Sequence, residues 1–411
     1  MTVSVRRDLT GLIDQGVVSA SSLLTTMIFI RGAGMEEFGV LSLVWLVLLF
    51  AISAQHALVI APAHTMLPKL SVEDSRAFRG WLVLVQAAFL CLLVGLLVAS
   101  WFAPWFSLLP AAGGLLPALA FLCARQLCSF FRLLLFARED GAKRALLVDS
   151  VHATLSFSSL AYLAATEQLQ ARSGLWALAG SALLAALIAG PFYFRQGFRI
   201  GHPGADLAAR HLQLSKWLIG KAVAQWFSAN SFLTALGTIQ GAAALGGVRA
   251  AQTLIGTCGI VLQSVGNLLP ARASRVLEKS GRRELSRFLS RSVVRWYGFL
   301  LLGLIPILVF PFFFLQLLTG ERQPDLLEPL YFFALGSILS MATLHLQIFL
   351  RAVEQVRAIF LAQVFPGVIG LLFAVPVTSA YGIRGCMIGL LVQQVVVLCI
   401  LLVPVRRKLA R

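Results

Sequence analysis

Arg125 and Arg132 stand seven residues apart in the apolar run at 114–136. Two turns of helix would put them on nearly one face. Arg125 is roughly a dozen residues from either end of that run. A charge at mid-bilayer costs about 2.5–3.5 kcal/mol on insertion scales, so it should face a cavity or a partner. Arg249 enters a second apolar run, 243–268, about two turns from its start. Guanidinium groups bind phosphate oxygens bidentately. Arg125, Arg249 and Arg132 are therefore candidates to hold a phosphate-bearing anion. Plainer readings stand beside this one: Arg132 could pair with Asp149, and Arg249 could snorkel to the membrane interface.

Two polar stripes add to the arginines. Gln15, Ser19, Ser22 and Thr26 are spaced 4, 3 and 4 residues apart, and so share one helical face. Asn230, Ser231, Thr234 and Thr238 lie near one face of a later run. Such stripes would line a wet cavity; hydrogen bonding between helices is the alternative. Asp149 and His152 begin a polar run, "DSVHATLSFSS", that could take a proton or cation. Asp14 is a third possible ion ligand, at the end of its run, where a solvated carboxylate is the ordinary state. His345 is alone in its run and reads as a satisfied interhelical histidine.

The elements that must position these residues follow from composition. Of 411 residues, 59% are hydrophobic and only 12% charged, against roughly 25% charged in soluble domains. The net charge is +17, but it is spread through short gaps between long apolar runs. That pattern belongs to a polytopic membrane protein and not to a nucleic-acid binder. Twelve spans are expected near 12–31, 38–62, 81–101, 114–136, 145–166, 174–194, 216–238, 243–268, 292–316, 327–350, 357–377 and 382–404. All should be helices, because a bilayer offers the backbone no water. The start of the chain shows no small-residue cleavage pattern. Six cysteines fall inside apolar segments without CxxC spacing, and read as small reduced core residues with no zinc site.

Orientation follows from Lys and Arg. With the N-terminus in the cytoplasm, the inner ends carry most of the basic residues, eight of them between Arg272 and Arg295. The opposite loops carry only Arg31, Arg172, Arg322 and Arg384, with Glu36, Glu37, Glu167, Glu321, Asp325 and Glu328. Both termini are therefore expected inside. Most of the positive charge would then face anionic lipid headgroups, with no nucleic acid required.

The chain also repeats. A shift of 208 residues lays Gly39-Val40 on Gly247-Val248, Pro62 on Pro270, Ser22 on Asn230 and Thr26 on Thr234. At a slightly different offset, Arg138 pairs with Arg351 and Arg144 with Arg357. Each half would hold six spans, so both enter from one side and form parallel repeats. The expected organisation is a lobe at 1–194, a cytoplasmic linker at 195–215 and a lobe at 216–411.

The turn "GAGMEEFGV", the matching "LGGVRAAQTL" and the exit "LLPARAS" resemble the polysaccharide transporter (Wzx-like, O-antigen) branch of the multidrug/oligosaccharidyl-lipid/polysaccharide flippase superfamily. The resemblance implies two six-helix lobes, related by a pseudo-two-fold axis around a central cavity, and alternating access. It implies a bacterial inner-membrane flippase that moves an undecaprenyl-pyrophosphate-linked oligosaccharide outward for exopolysaccharide or O-antigen synthesis. Partners would be that glycan, membrane lipids, and a polysaccharide polymerase or glycosyltransferases. No cofactor is expected. The major facilitator fold ranks lower, because "HTMLPKLSVEDSRAFRGW" stands where its GxxxDRxGRR-like run would fall.

Two other functions stay open: a cation-coupled multidrug exporter of the same superfamily, and a non-transporting scaffold for polysaccharide assembly. The exporter would need acidic residues deep in its spans. Enzyme motifs are lacking. There is no Walker loop and no HExxH, and "GAGMEEFG" places its third glycine two residues too late for GxGxxG.

Overall fold

The structure, a computed structural model, describes residues 2–67, 70–101, 114–135, 141–195, 197–199, 204–353 and 355–409, with no side chain before residue 16. Among them every regular element is helical. The helices are α1 (Thr2–Gln55), α2 (Ala61–Met66), α3 (Val72–Trp101), α4 (Leu115–Leu135), α5 (Gly141–Ala165), α6 (Ala171–Phe194) and α7 (Ala205–Ile239). There follow α8 (Ala242–Gly256), α9 (Gly259–Val309), α10 (Pro311–Thr319), α11 (Leu327–Ala352) and α12 (Val356–Leu409). A π-helical turn, His56–Ile60, joins α1 to α2.

Eight helices are long and apolar enough to cross a membrane, or nine if Ala242–Gly256 and Gly259–Gly266, bent by 56°, count as one span. Two of the eight, Gly16–Met66 and Arg357–Arg407, are 51 residues long, about twice what a bilayer needs. Each is broken by a glycine outside the helical region: Gly34 (φ 90°) and Gly382 (φ 57°). Each therefore supplies two spans. The remaining expected span is α7, which is too polar to qualify by composition. Large apolar side chains face outward, as at Leu96 (60% exposed) and Leu302 (72%). A multi-pass membrane protein accounts for them.

The chain divides into two compact units, Met1–Val223 and Ala224–Arg411. In the first, α4 packs on α6, and α5 on both α1 and α6. In the second, α11 packs on α8, α9 and α12. One device recurs in both. Phe29, fully buried on α1, lies on Gly174 of α6, where a Cβ would stand 2.1 Å from its ring. Phe232, 1% exposed on α7, lies on Gly389 of α12, again with 2.1 Å to a Cβ. The turns also match: Gly34 (φ 90°, ψ 172°) and Gly241 (φ 89°, ψ 175°) share one conformation. Such positive φ favours glycine. The break after the first span thus falls at Gly34, inside the gap expected between the spans 12–31 and 38–62. The repeat partner Arg138 lies outside the described residues.

One expectation needs correction: Cys91 and Cys399 are exposed, while Cys128, Cys258 and Cys386 are buried. The stretch expected as a linker, 195–215, is helical from Ala205. The reason lies at the π-helical turn. Pro62 has no N–H, so the carbonyl of Leu58, four residues earlier, loses its α-helical donor. His211 on α7 replaces it: its Nε2 lies 2.8 Å from that carbonyl, and Ser215 Oγ lies 3.3 Å away. Trp81 Nε1 donates to His211 Nδ1 at 3.3 Å. These two bonds fix the ring as the neutral Nε2–H tautomer. His211 is fully buried.

Burial lowers the His211 pKa from its ordinary 6.5, against a smaller opposing effect of its bond to the Leu58 carbonyl. The unfolded chain therefore takes up this proton first as pH falls. Stability that is present above 6.5 should be lost progressively below it. We expect the melting temperature of the purified protein to fall on acidification from pH 7.5 to 5.5, with a shallower slope in His211→Gln. Equal slopes would remove His211 as the cause.

Candidate functional site

In the first unit the candidate residues lie on α4 and α5. The expected face of α4 carries Arg125, Cys128 and Arg132, spaced three and four residues apart. The facing stripe of α5 carries Asp149, His152 and Ser156, with the same spacing. The structure joins them in separate pairs. Arg132 Nε donates to Asp149 Oδ2 at 2.5 Å, and Asp149 is 4% exposed. His152 Nδ1 lies 3.4 Å from Ser156 Oγ, which lies 2.8 Å from Ser181 Oγ on α6. Arg132 thus takes the bridging role. Asp149 is spent as its counter-ion, which argues against a free ion-binding carboxylate there.

Arg125 differs. Its side chain is half-buried, and its contact is Cys128 Sγ at 3.9 Å. No carboxylate among the described residues pairs with it. It is a positive charge in the middle of an apolar helix, without a counter-ion among the described residues.

The polar stripes do less than their spacing suggested. Thr26 Oγ1 donates to Ser22 O at 3.0 Å, and Thr234 Oγ1 to Asn230 O at 3.0 Å. The repeat partners thus make the same bond back onto their own helix. Asn230 Nδ2 donates to Trp226 O at 3.2 Å, and Thr238 Oγ1 to Ala235 O at 2.8 Å. Ser231 Oγ is buried without a partner, against Gly370. Ser19 is half-buried. The side chains of Asp14 and Gln15 lie outside the described residues. His345 bonds Met341 O on its own helix at 2.9 Å, so it is not the interhelical bridge expected.

Sequence reasoning missed a glutamine cluster. Gln55, Gln86 and Gln126 are all at most 2% exposed. Gln55 Nε2 donates to Gln86 Oε1 at 3.0 Å and to the Gln126 carbonyl at 2.8 Å. Both side-chain polar atoms of Gln126 lack partners. The signal was three carboxamides inside apolar runs, one of them, Gln126, next to a charge at Arg125.

In the second unit, Arg249 Nη1 donates to Gln252 Oε1 at 2.6 Å, and its Nε is buried without a partner. Arg249 is not paired with a carboxylate among the described residues. Gln252 lines a cavity of about 270 Å³, with Ser228, Ser337, Ser340 and Gln394. None of the residues expected to line a cavity is among its walls. Among the described residues, no group of His, Cys, Asp and Glu could hold a metal.

Removing one partner of a buried ion pair strands the other charge, at about 3–5 kcal/mol. Asp149→Asn and Arg132→Met should each lower thermal stability by that order. The double replacement Arg132→Met/Asp149→Leu should recover most of the loss. An additive double mutant in a thermal-shift assay would contradict the pairing.

Comparison with known proteins bears on the fold. No protein-family description and no curated protein sequence matches the chain. Solved structures do. The chain is similar to the lipid II flippase MurJ in an inward closed conformation, with TM-score 0.75 and 11% identity, over 97% of this chain and 87% of that one. It is also similar to an outward-facing multidrug resistance MATE family transporter of the MOP superfamily, with TM-score 0.66 and 12% identity, over 99% and 95%. A MOP superfamily transporter from Pyrococcus furiosus, described by the reversed polarity of its binding pocket, matches with TM-score 0.63 and 12% identity, over 99% and 95%. At these identities the likeness is one of fold alone: a many-helix fold with no strand among the described residues.

Proposed function

We propose that the chain is a flippase that carries an undecaprenyl-pyrophosphate-linked oligosaccharide from the inner to the outer leaflet of a bacterial cytoplasmic membrane, by alternating access. Both termini would lie inside, and a polysaccharide polymerase or glycosyltransferases would act beside it. The observation that carries this reading is Arg125. A guanidinium in the middle of an apolar helix, without a counter-ion among the described residues, is costly unless an anion visits it. A pyrophosphate supplies about two negative charges and oxygens suited to bidentate bonding. Arg132 supports the site through Asp149, whereas Arg249, expected as a second contact, is held on Gln252. The fold likeness to a lipid II flippase is consistent with an amphipathic lipid substrate.

The multidrug reading rests on the same fold likeness. A cation exporter needs a carboxylate free to exchange its ion. Among the candidate acids, Asp149 is already bound to Arg132. An anionic substrate suits this charge balance better. It also removes the need for a coupling ion, because an anion leaving a negative interior gains about 2.3 kcal/mol per charge per 100 mV.

Arg125→Ala should cut export of the lipid-linked glycan at least tenfold, and the glycan should accumulate on the inner leaflet. Arg125→Lys should keep part of the rate, since an ammonium gives charge without the bidentate fork. Wild-type export in Arg125→Ala would overturn this assignment. In sealed vesicles, collapsing the membrane potential should slow transport. Unchanged rates would rule out the potential as the drive.

A further inference from the structure

The cavity of the second unit has a chemistry that the arginines do not explain. Its polar side chains come from four helices: Ser228 of α7, Gln252 of α8, Ser337 and Ser340 of α11, and Gln394 of α12. All are uncharged, and no acidic or basic side chain lines the walls. Such a site gains nothing from an ion, since a charge entering it would lose water without finding a counter-charge. It suits a ligand rich in hydroxyl groups, which both donate and accept.

The polar groups are also oriented. Arg249 Nη1 holds Gln252 Oε1 at 2.6 Å, a charge-assisted bond that fixes which way the amide points. The Gln252 Nε2 hydrogens are thereby left to donate. Ser337 Oγ donates to Phe333 O at 3.0 Å, so its remaining capacity toward the cavity is to accept. Phe332 and Phe333 add aromatic surface to the wall. The negative face of an aromatic ring attracts the polarised C–H face of a pyranose.

Size is compatible with such a ligand: at about 270 Å³, the cavity stands at the lower edge of the roughly 300–1,000 Å³ of small-molecule sites, and one sugar ring fits it.

We infer that this cavity is a subsite for one neutral sugar ring of the transported lipid-linked glycan, with Arg249 as the positioning residue that orients Gln252. The inference rests on the flippase reading and adds to it a place for one sugar within the second unit.

Gly336 offers the test. It lines the cavity, and a Cβ added there meets nothing within 4 Å. Gly336→Leu should therefore fill the space without displacing the helix. The full chain in nanodiscs would be titrated with undecaprenyl pyrophosphate, with the same lipid bearing one neutral hexose, and with the lipid bearing one hexuronic acid. The neutral hexose should tighten binding about tenfold over the bare lipid, as one or two net hydrogen bonds would. The hexuronic acid should give no such gain. Gly336→Leu should reduce the hexose lipid to the affinity of the bare lipid. Gln394→Leu should lower it in the same direction, and carries the test if the leucine variant does not fold.

A wild type that binds bare and hexose lipids equally would overturn the subsite and leave the flippase reading standing. So would a hexose gain that survives both substitutions. An equal gain from the hexuronic acid would overturn its neutral character. If neither the bare nor the hexose lipid binds the wild type, the flippase reading fails and the subsite falls with it.

Discussion

A phenyl ring seated on bare glycine backbone ties the first span of each half to the last. Phe29 does this on Gly174, and Phe232 on Gly389. Between helices in a bilayer, apolar surface gains little by leaving lipid, so association depends on close packing and hydrogen bonds. A residue without a Cβ is what permits such approach. The contact joins elements far apart in sequence, and so fixes which helices can neighbour each other within a unit. The matching glycine turns at Gly34 and Gly241 then return each chain for its second span in the same way. The duplicated architecture is carried by a few glycines and two rings.

The second constraint is the absence of water from the bilayer core, which leaves every freed backbone group to find a protein partner. Pro62 removes a donor from the Leu58 carbonyl, and His211 and Ser215 supply replacements from α7. A local irregularity in one helix thereby recruits the start of another. The glutamine cluster beside the same turn is a less complete solution, since several of its polar atoms lack partners. Buried polar networks of this kind confer specificity when satisfied and are costly when not.

These two constraints explain what the sequence could and could not reveal. Long apolar runs gave the spans, since about 20 residues of uniform character carry their own signal. The glycine repeat gave the duplication. The helix that begins at Ala205 was not legible within 195–215, because the composition there is polar. His211 and Ser215 are polar for a reason located at Leu58, more than 150 residues away, which no local window contains. The same limit applies to Arg132. Spacing alone allowed either a phosphate contact or a partner for Asp149, and only coordinates choose between them. Arg125 was legible because a charge in the middle of a span stands out against its own surroundings. The cavity around Gly336 was not, because its walls come from four helices and consist of ordinary serines, glutamines and phenylalanines.

The charge distribution acquires a consistent meaning under the proposed function. A lipid-linked glycan is two chemistries in one molecule: a dianionic linkage and an uncharged, hydroxyl-rich head. A single cationic chamber would bind the first strongly and leave the second to water. A wholly neutral chamber would leave the phosphates unpaired. In the first unit, Asp149 pairs with Arg132, and Arg125 is half-buried without a carboxylate partner among the described residues. In the second, Arg249 is turned inward onto Gln252, so that a charge acts through an amide and the cavity wall remains neutral. A transporter must also release what it binds. One uncompensated guanidinium and a few net hydrogen bonds suit that requirement better than a ring of cations would, because each contact can be given up singly to water on the far side.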